Sequence, residues 1–561
     1  MDYKIKIVEL LKNCGFDINV DLITIPPNKK FGDFSCPMFS FAKELKKSPN
    51  QIAQDLCSKL SDSNFEKIVS EGPYLNFYIN RKEFIKDAIN KILNRQFDYL
   101  IREDLKKIMV EYISPNSNKP LHIGHLRNLL LGQLYSKLLK KVGNEVVETC
   151  LINDRGLHIC KSMVAYKKFG NDIEPDIKGD HFVGNYYIEF EKQLKEDPDL
   201  IEEANQMLID WENDNLEVKQ LWRKMNDWSE SGQKETWQKF GINFNQIYYE
   251  SQMYKFGKEI VEEGIKKGVF KEDDGVIIAD LSDYNLDIIV AIRANGTSLY
   301  LVQDLYLAIL KVKEYSIDSS VYVIGKEQDH YMRQLFKILE LLGFDWAKNL
   351  YHLSYGHIEL KSGRMKSREG KIVETDDLLK EITDLISVQL VERNSNYSSD
   401  ELDYLSKNIA MAAIRYYILK FDNKKDFTYD EESSLRFDGD TGVYLLYTYA
   451  RINSIIDKIN CEFNFDNINL NLFEHDIEFE LIEKLSNIDE VVKEATKKHK
   501  LSYLCNYFMD LAQTFNTYYS QVQILDGNDD RQKTKYVFLK CILIVFEELF
   551  DLLSIKPLKN I

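Results

Sequence analysis

The stretch SPNSNKPLHIGHLRN, residues 114–128, sets His122 and His125 on either side of Gly124, just behind Pro120 and where an apolar helical pattern begins. A proline ahead of a helix presets its entry, and the first turn offers main-chain N–H groups at the positive end of the helix dipole. Anions belong at such an end. The two imidazoles add side-chain donors, and Gly124 allows a flat ring to approach the backbone closely. A phosphate chain carrying an adenine suits this arrangement, although the pair alone also fits ordinary helix-start residues. With no third Cys, His or carboxylate at ligand spacing nearby, no metal site is expected.

Two further groups have types and spacings that could do chemistry. In TSLYLVQDLYLAI, residues 297–309, Tyr300 and Asp304 stand four apart and so share one helical face. In GVYLLYTYARINSI, residues 442–455, Tyr444, Tyr447 and Tyr449 interleave with Arg451. Such a helix offers aromatic faces for unstacked bases, or a tyrosine-rich packing face.

The elements that must position these groups follow from periodicity. KKIMVEYIS at 106–114 carries a short apolar run and reads as a buried strand. The helix GHLRNLLLGQLYSKLLKKVG follows, closed by Gly143, and EVVETCLIN returns as a second strand. Strand, helix, strand is the order of a parallel sheet. Residues from about 165 to 270 are mostly polar helix, and SVYVIG at 320–325 resumes the buried-strand character, so the α/β unit is split by an insertion. Ahead of it, FAKELKKSPNQIAQDL has helical spacing and EGPYLNFYIN alternates like a strand, which makes a small α/β unit. Beyond about 400 the pattern is helical nearly to the end. The expected division is 1–102, 103–405 and 406–561.

Taken whole, VEYISPNSNKPLHIGHLRN resembles the ATP-binding signature of class I aminoacyl-tRNA synthetases in the form carried by arginyl-tRNA synthetases. SGRMKSREGKIVETDDLL, residues 362–379, resembles in degenerate form the family's second signature, a loop that brings positive charge to the phosphates. Arg364 replaces its first lysine, Lys366 falls on its first serine, and Ser367 takes the second lysine position. Arginyl enzymes commonly lack that second lysine and use one just ahead of the histidine pair, which is Lys119 here. The similarity extends from about residue 29 to 555.

The resemblance implies a Rossmann-type nucleotide-binding α/β domain, a small N-terminal α/β domain and a C-terminal all-α anticodon-binding domain. It implies ATP-dependent activation of L-arginine to arginyl-adenylate and transfer to the 3′ end of its cognate tRNA, releasing AMP and pyrophosphate. Lys119, His122, Gly124, His125, Arg364, Lys366, Ser367 and Arg368 would be catalytic. His122, Gly124, His125 and Met365 would bind ATP, with Mg²⁺ associated with that substrate. A guanidinium is a planar, permanently charged fork that calls for carboxylates and flat partners. The family positions for arginine fall on Glu111, Asn116, Tyr300, Asp304 and Gln328, and those for tRNA on Tyr444, Tyr447 and Arg451. Asn153, Asp154 and His158, in LINDRGLHICKSM, are expected to line the site.

Composition narrows the class. The chain has 561 residues, 44% of them hydrophobic, and no apolar run long enough to span a membrane. A net charge of −17 argues against broad nonspecific nucleic-acid binding, so an RNA surface must be local. The eight cysteines, at 14, 36, 57, 150, 160, 461, 505 and 541, form no close pairs and read as reduced thiols. MDYKIKIVELLKNCGF carries no apolar signal core, so a cytoplasmic monomer is expected. The rivals are another class I synthetase or a short-chain nucleotidyltransferase using the same histidine pair and, on the altered second signature, a silent tRNA-binding protein of the same fold.

Overall fold

A five-stranded, wholly parallel sheet organises the middle of the chain, and its strands are apolar because both faces are covered. The computed structural model describes residues 3–101, 105–360, 373–459, 468–525 and 529–561. The strands are β1 (Lys107–Glu111), β2 (Glu145–Ile152), β3 (Gln246–Tyr249), β4 (Ser319–Gly325) and β5 (Tyr351–Tyr355), lying side by side as β5-β4-β1-β2-β3. All four neighbouring pairs are parallel, with Glu111 opposite Tyr322 on one side and Thr149 on the other. The chain leaves β1 toward β2 and later fills in β4 on the opposite flank. This topological switch opens a crevice at the carboxyl ends of β1 and β4, where doubly wound sheets bind their ligands.

The helix after β1, α1 (Ile123–Lys141), is buried almost all round because the sheet lies on one face and carboxyl-terminal helices on the other. Gly132 is required there: a Cβ would come within 2.3 Å of the Tyr112 ring. The insertion between β2 and β3 comprises α2 (Leu157–Phe169), α3 (Gly179–Gln193), α4 (Leu200–Glu212) and α5 (Leu216–Lys239) around a core that includes Met163, Phe190 and Trp211. A small antiparallel sheet of Lys271–Asp273, Val276–Ala279 and Ile289–Ile292 precedes α6 (Tyr300–Tyr315) and is absent from the sequence expectation. Its first hairpin turns on Asp274 and Gly275, both at positive φ, a short-loop signal that the polar run around it obscures.

After β4 comes α7 (Asp329–Leu341), and after β5 come α8 (Thr375–Arg393) and α9 (Ser399–Leu419). The carboxyl-terminal bundle comprises α10 (Gly442–Lys458), α11 (Asp476–Ser486), α12 (Ile488–Lys497), α13 (Ser502–Gln521) and α14 (Asp529–Leu552). At the amino end, Phe34–Pro37, Tyr74–Ile79 and Phe65–Glu71 form an antiparallel sheet over helices Tyr3–Asn13 and Pro49–Cys57. The following helix, Arg81–Leu93, docks on the bundle through Phe84 against Phe479 and Lys91 at 2.6 Å from Asp489.

No helix among the described residues is long and apolar enough to cross a membrane. The seven described cysteines are free thiols, and Cys461 lies outside the described residues.

Candidate active site

The loop that carries the histidine pair leaves β1 under strain. Ile113 and Ser114 have φ of 79° and 39°, and for a β-branched residue this conformation costs about 1–3 kcal/mol. Asn128 of α1 holds it in place. Its Oδ1 accepts from the Ile113 N–H at 2.6 Å, while its Nδ2 donates to the Val323 carbonyl at 2.7 Å and to Tyr355 at 3.2 Å. One buried amide thus ties β1, β4 and β5 to the signature helix. Farther along the loop, Gln233 of α5 donates to the carbonyls of Asn116 and Lys119, both at 2.9 Å, so the insertion buttresses the turn.

His122 is the N-cap of α1, and it pairs with His125 reciprocally. His122 Nδ1 accepts from the main-chain N–H of Gly124 at 3.1 Å and of His125 at 3.4 Å, and His125 Nδ1 accepts from the His122 N–H at 3.2 Å. The Ile123 N–H goes to the Val373 carbonyl at 3.0 Å. The expectation of free first-turn amides is therefore corrected: the helix start spends them internally. What it presents instead are two imidazole Nε2–H groups, since each Nδ1 must be unprotonated to accept. Burial, with Lys119 nearby, pushes His122 down to about 4, and burial with both neighbours holds His125 well below its usual range. The flat ring that Gly124 admits is the His122 imidazole, which a Cβ would meet at 2.9 Å.

A cavity of about 640 Å³ opens at the switch point, bordered by Glu111, His122, Gly124, His125, Asn153, Asp304 and Gln328. It thus gathers both histidines and three of the five residues expected at arginine. The two carboxylates are already engaged. Lys311 of α6, wholly buried, lies 2.5 Å from Glu111, and the Tyr331 hydroxyl donates to Asp304. Burial raises Asp304 to about 6 against the pull of that hydroxyl. Lys311 and Tyr331 escaped the sequence reading. A lysine in an otherwise apolar stripe, about two turns from Asp304 on the same helix, was the available signal.

Other expected residues stand apart. Tyr300 is 72% exposed at the first turn of α6 and does not border the cavity, because the helical face it shares with Asp304 overruns the crevice there. Asn116 is likewise not at the cavity wall; its backbone bridges Asn153. Lys119 is half-buried and is not a wall residue either, but its positive charge helps to lower His122, His125 and His158. His158 is exposed and meets Tyr187 at 3.3 Å. Asp154 faces away from the main cavity: its carboxylate accepts from the Ser251 N–H at 2.8 Å and hydroxyl at 2.6 Å, locking β2 to the chain after β3. Arg364, Met365, Lys366, Ser367 and Arg368 lie outside the described residues.

The segment that follows them is firmly tied. Residues 373–375 bond to Leu121 and Ile123, and Asp376 at the start of α8 accepts from Lys178 at 2.6 Å, Lys239 at 2.8 Å and Thr236 at 3.0 Å. His181 completes the cluster, with Nδ1 3.0 Å from Glu374 and Nε2 3.2 Å from Asp376, so both nitrogens must carry protons. Asp180, His181 and Asp376 are close enough to share a metal, but the two lysines already occupy these carboxylates.

Two further contacts join the signature helix to more distant parts of the chain. Arg127, buried two residues past His125, donates to the carbonyls of Gly356 after β5 and of Asp422, Asn423 and Lys425 after α9. His499, at the end of α12, stacks on Tyr351 of β5 at 3.8 Å and meets Tyr135 of α1 at 2.6 Å. In the bundle, Arg451 lies over the rings of Tyr447 and Tyr519, which are 36% and 44% exposed, a surface of aromatic faces and one cation. Tyr444 is half-buried beside Asn516, and Tyr449 is core, bonded to Glu547 at 3.2 Å.

Residues 88–431 match the family model for the catalytic domain of class I (R) tRNA synthetases, 2–79 that for the arginyl tRNA synthetase N terminal domain, and 445–561 that for the DALR anticodon binding domain. A Treponema denticola protein named arginine–tRNA ligase is 39% identical over 95% of this chain and 93% of its own. One from Borrelia garinii is 40% identical over 97% of this chain and 95% of its own. The Thermus thermophilus arginyl-tRNA synthetase has the same fold, with a TM-score of 0.79 at 23% identity over 100% of this chain and 99% of that one.

Proposed function

The chain belongs to the arginyl-tRNA synthetase family of class I ligases, and from that premise we propose that it charges tRNA with arginine at the cavity between β1 and β4. The observation that carries the reading is a single cavity bordered both by two neutral imidazoles and by two carboxylates, Glu111 buried and Asp304 half-buried. Neutral Nε2–H groups suit phosphate oxygens, and carboxylates suit a guanidinium.

In the first step the arginine carboxylate attacks the α-phosphorus of ATP, and pyrophosphate leaves. His122 and His125 donate to phosphate oxygens as charge builds, with Lys119 adding a positive field from behind. Asp304 and Glu111 hold the side chain, and Gln328 closes the rim. The donor set around the imidazoles binds anions rather than cations, so Mg²⁺ would arrive on the nucleotide and neutralise part of its charge. In the second step the 2′-hydroxyl of the terminal tRNA adenosine attacks the acyl carbon and AMP leaves. An amino acid without the fork would strand buried carboxylates, so arginine needs no separate editing site.

Residues 1–102 would meet the outer corner of the tRNA, and 406–561 its anticodon arm, with Tyr447 and Arg451 in contact and Tyr444 shaping the helix that presents them. The test is aminoacylation of bulk tRNA with each amino acid offered in turn. Charging with arginine alone is expected, and its absence overturns the reading. ATP–pyrophosphate exchange with and without tRNA measures whether activation waits for the RNA, as we expect.

A further inference from the structure

The amino-acid end of the cavity contains more negative charge than one guanidinium neutralises. Glu111 ends β1, Asp304 sits one turn into α6, and both border the cavity. Asp304 feels the field of Glu111. Two carboxylates in so dry a place retain a proton between them unless a cation is supplied. Lys311 supplies one. Its ammonium lies 2.5 Å from Glu111 and 4.5 Å from the Tyr322 ring centre, and it stands behind Glu111 rather than at the cavity wall.

The remaining titratable groups around these carboxylates are Tyr322 of β4, Tyr331 of α7, Cys150 of β2, Tyr248 of β3 and, just after β3, Glu250 with its partner Arg155. Burial raises the first four, so they add no charge near neutral pH, and Glu250, raised by burial to about 7, is matched by the Arg155 guanidinium 3.7 Å away in every variant compared. The sum over Glu111, Asp304 and Lys311 is one negative charge.

We propose that Lys311 is a positioning residue that determines specificity: its ammonium balances the charge of Glu111 and sets the pocket at a single negative charge, matched to a singly charged side chain. The proposal rests on arginine occupying this cavity. An ordinary buried ion pair would make the same contact but would not fix the charge to which the substrate responds.

The experiment is a double-mutant cycle in ATP–pyrophosphate exchange on the full chain with tRNA present, reading the KM for arginine from pH 6 to 9. E111Q leaves the pocket neutral and should raise that KM about 100-fold, a loss of the size seen for charge-assisted contacts. Adding Lys311→Met to E111Q restores one negative charge and should lower KM again by about tenfold. In the wild-type background Lys311→Met has the opposite sign: KM rises, and it acquires a downward slope with pH as arginine displaces a shared proton. K311R should keep the wild-type profile.

Lys311→Met that is equally harmful in both backgrounds, or a pH profile that does not change, overturns the proposal. If that variant does not fold, E111Q against E111Q/K311M decides alone, because the double variant removes both members of the Glu111–Lys311 pair and strands neither. A wild-type chain that fails to activate arginine defeats the functional reading instead, and the two failures are thereby distinct.

Discussion

His122 and His125 stack ring on ring at 3.8 Å, each capping the other's main-chain amide through Nδ1. The pair relays the helix's amide hydrogens outward: backbone donates to imidazole, and imidazole donates to the cavity. It does so without net charge, so its effect on phosphate is directional rather than long-ranged.

Cap and catalyst can be separated at His122. Asn retains an acceptor for the helix amides, so His122→Asn should keep the fold within about 0.5 kcal/mol, whereas His122→Ala should lose about 1 kcal/mol. Both should lower the kcat of arginine activation by about 10²–10³, the scale for losing one preorganised donor. Urea unfolding and pyrophosphate exchange measure the two effects. The neutral ring also has a pH signature. Folded His122 titrates at about 4 and the unfolded residue near 6.5, so stability present above pH 6.5 is lost as pH falls toward 4.

Asp304 sets affinity against stability. Its carboxyl titrates at about 6 in the fold, so it favours the folded state below its unfolded value near 4 and loses that contribution as pH rises through 6. Arginine held as proposed needs the ionised form, and its KM should rise as pH falls below 6. Asp304→Asn should raise the arginine KM by about 100-fold while leaving the KM for ATP unchanged, and should raise Tm at pH 8. Calorimetry and exchange kinetics on the same protein check both halves.

The Asp376 cluster predicts a stability optimum. Asp376 is held well below the carboxylate range by His181, Lys178 and Lys239, despite burial, so its contribution is present above its unfolded pKa and lost in acid. His181 is raised to about 10 by Asp376 and Glu374, so its contribution is full below about 6.5 and lost as pH climbs to 10. Tm should plateau between about pH 4 and 6.5 with respect to this cluster. Asp376→Asn should cost about 3 kcal/mol and flatten the alkaline limb. His181→Asn that leaves the alkaline limb unchanged would sink the assignment.

Asn128→Ala should strand the Ile113 N–H and the Val323 carbonyl and free a strained turn. A loss of about 2–4 kcal/mol in denaturant unfolding is expected, with kcat falling further than the arginine KM changes. Faster amide exchange at Ile113 would report the released turn directly.

The frame was legible where burial imposes a period: β1, α1, β2 and β4 each show one, as does the helical carboxyl end. The histidine pair comes from its motif, and Glu111, Asp304 and Gln328 from the family resemblance; the sheet topology brings all five to one crevice. Partners from distant segments were not legible. Lys311 reads as a surface lysine until Glu111 is brought beside it, and Asn128 as a polar interruption of α1 until three strands converge on it. Tyr300 stands off the wall for a different reason: helical spacing tells which residues share a face, not where the neighbouring wall ends.

Arg127 carries a last consequence. From the signature helix it grips main-chain carbonyls of the segments after β5 and after α9, closing the joint between them. Carbonyls do not titrate, and salt screens a buried contact far less than a surface pair. RNA held through its phosphates is released steeply by salt. A brine that strips the tRNA away should therefore leave this joint closed, so the enzyme can be rinsed of its RNA and loaded again without being rebuilt.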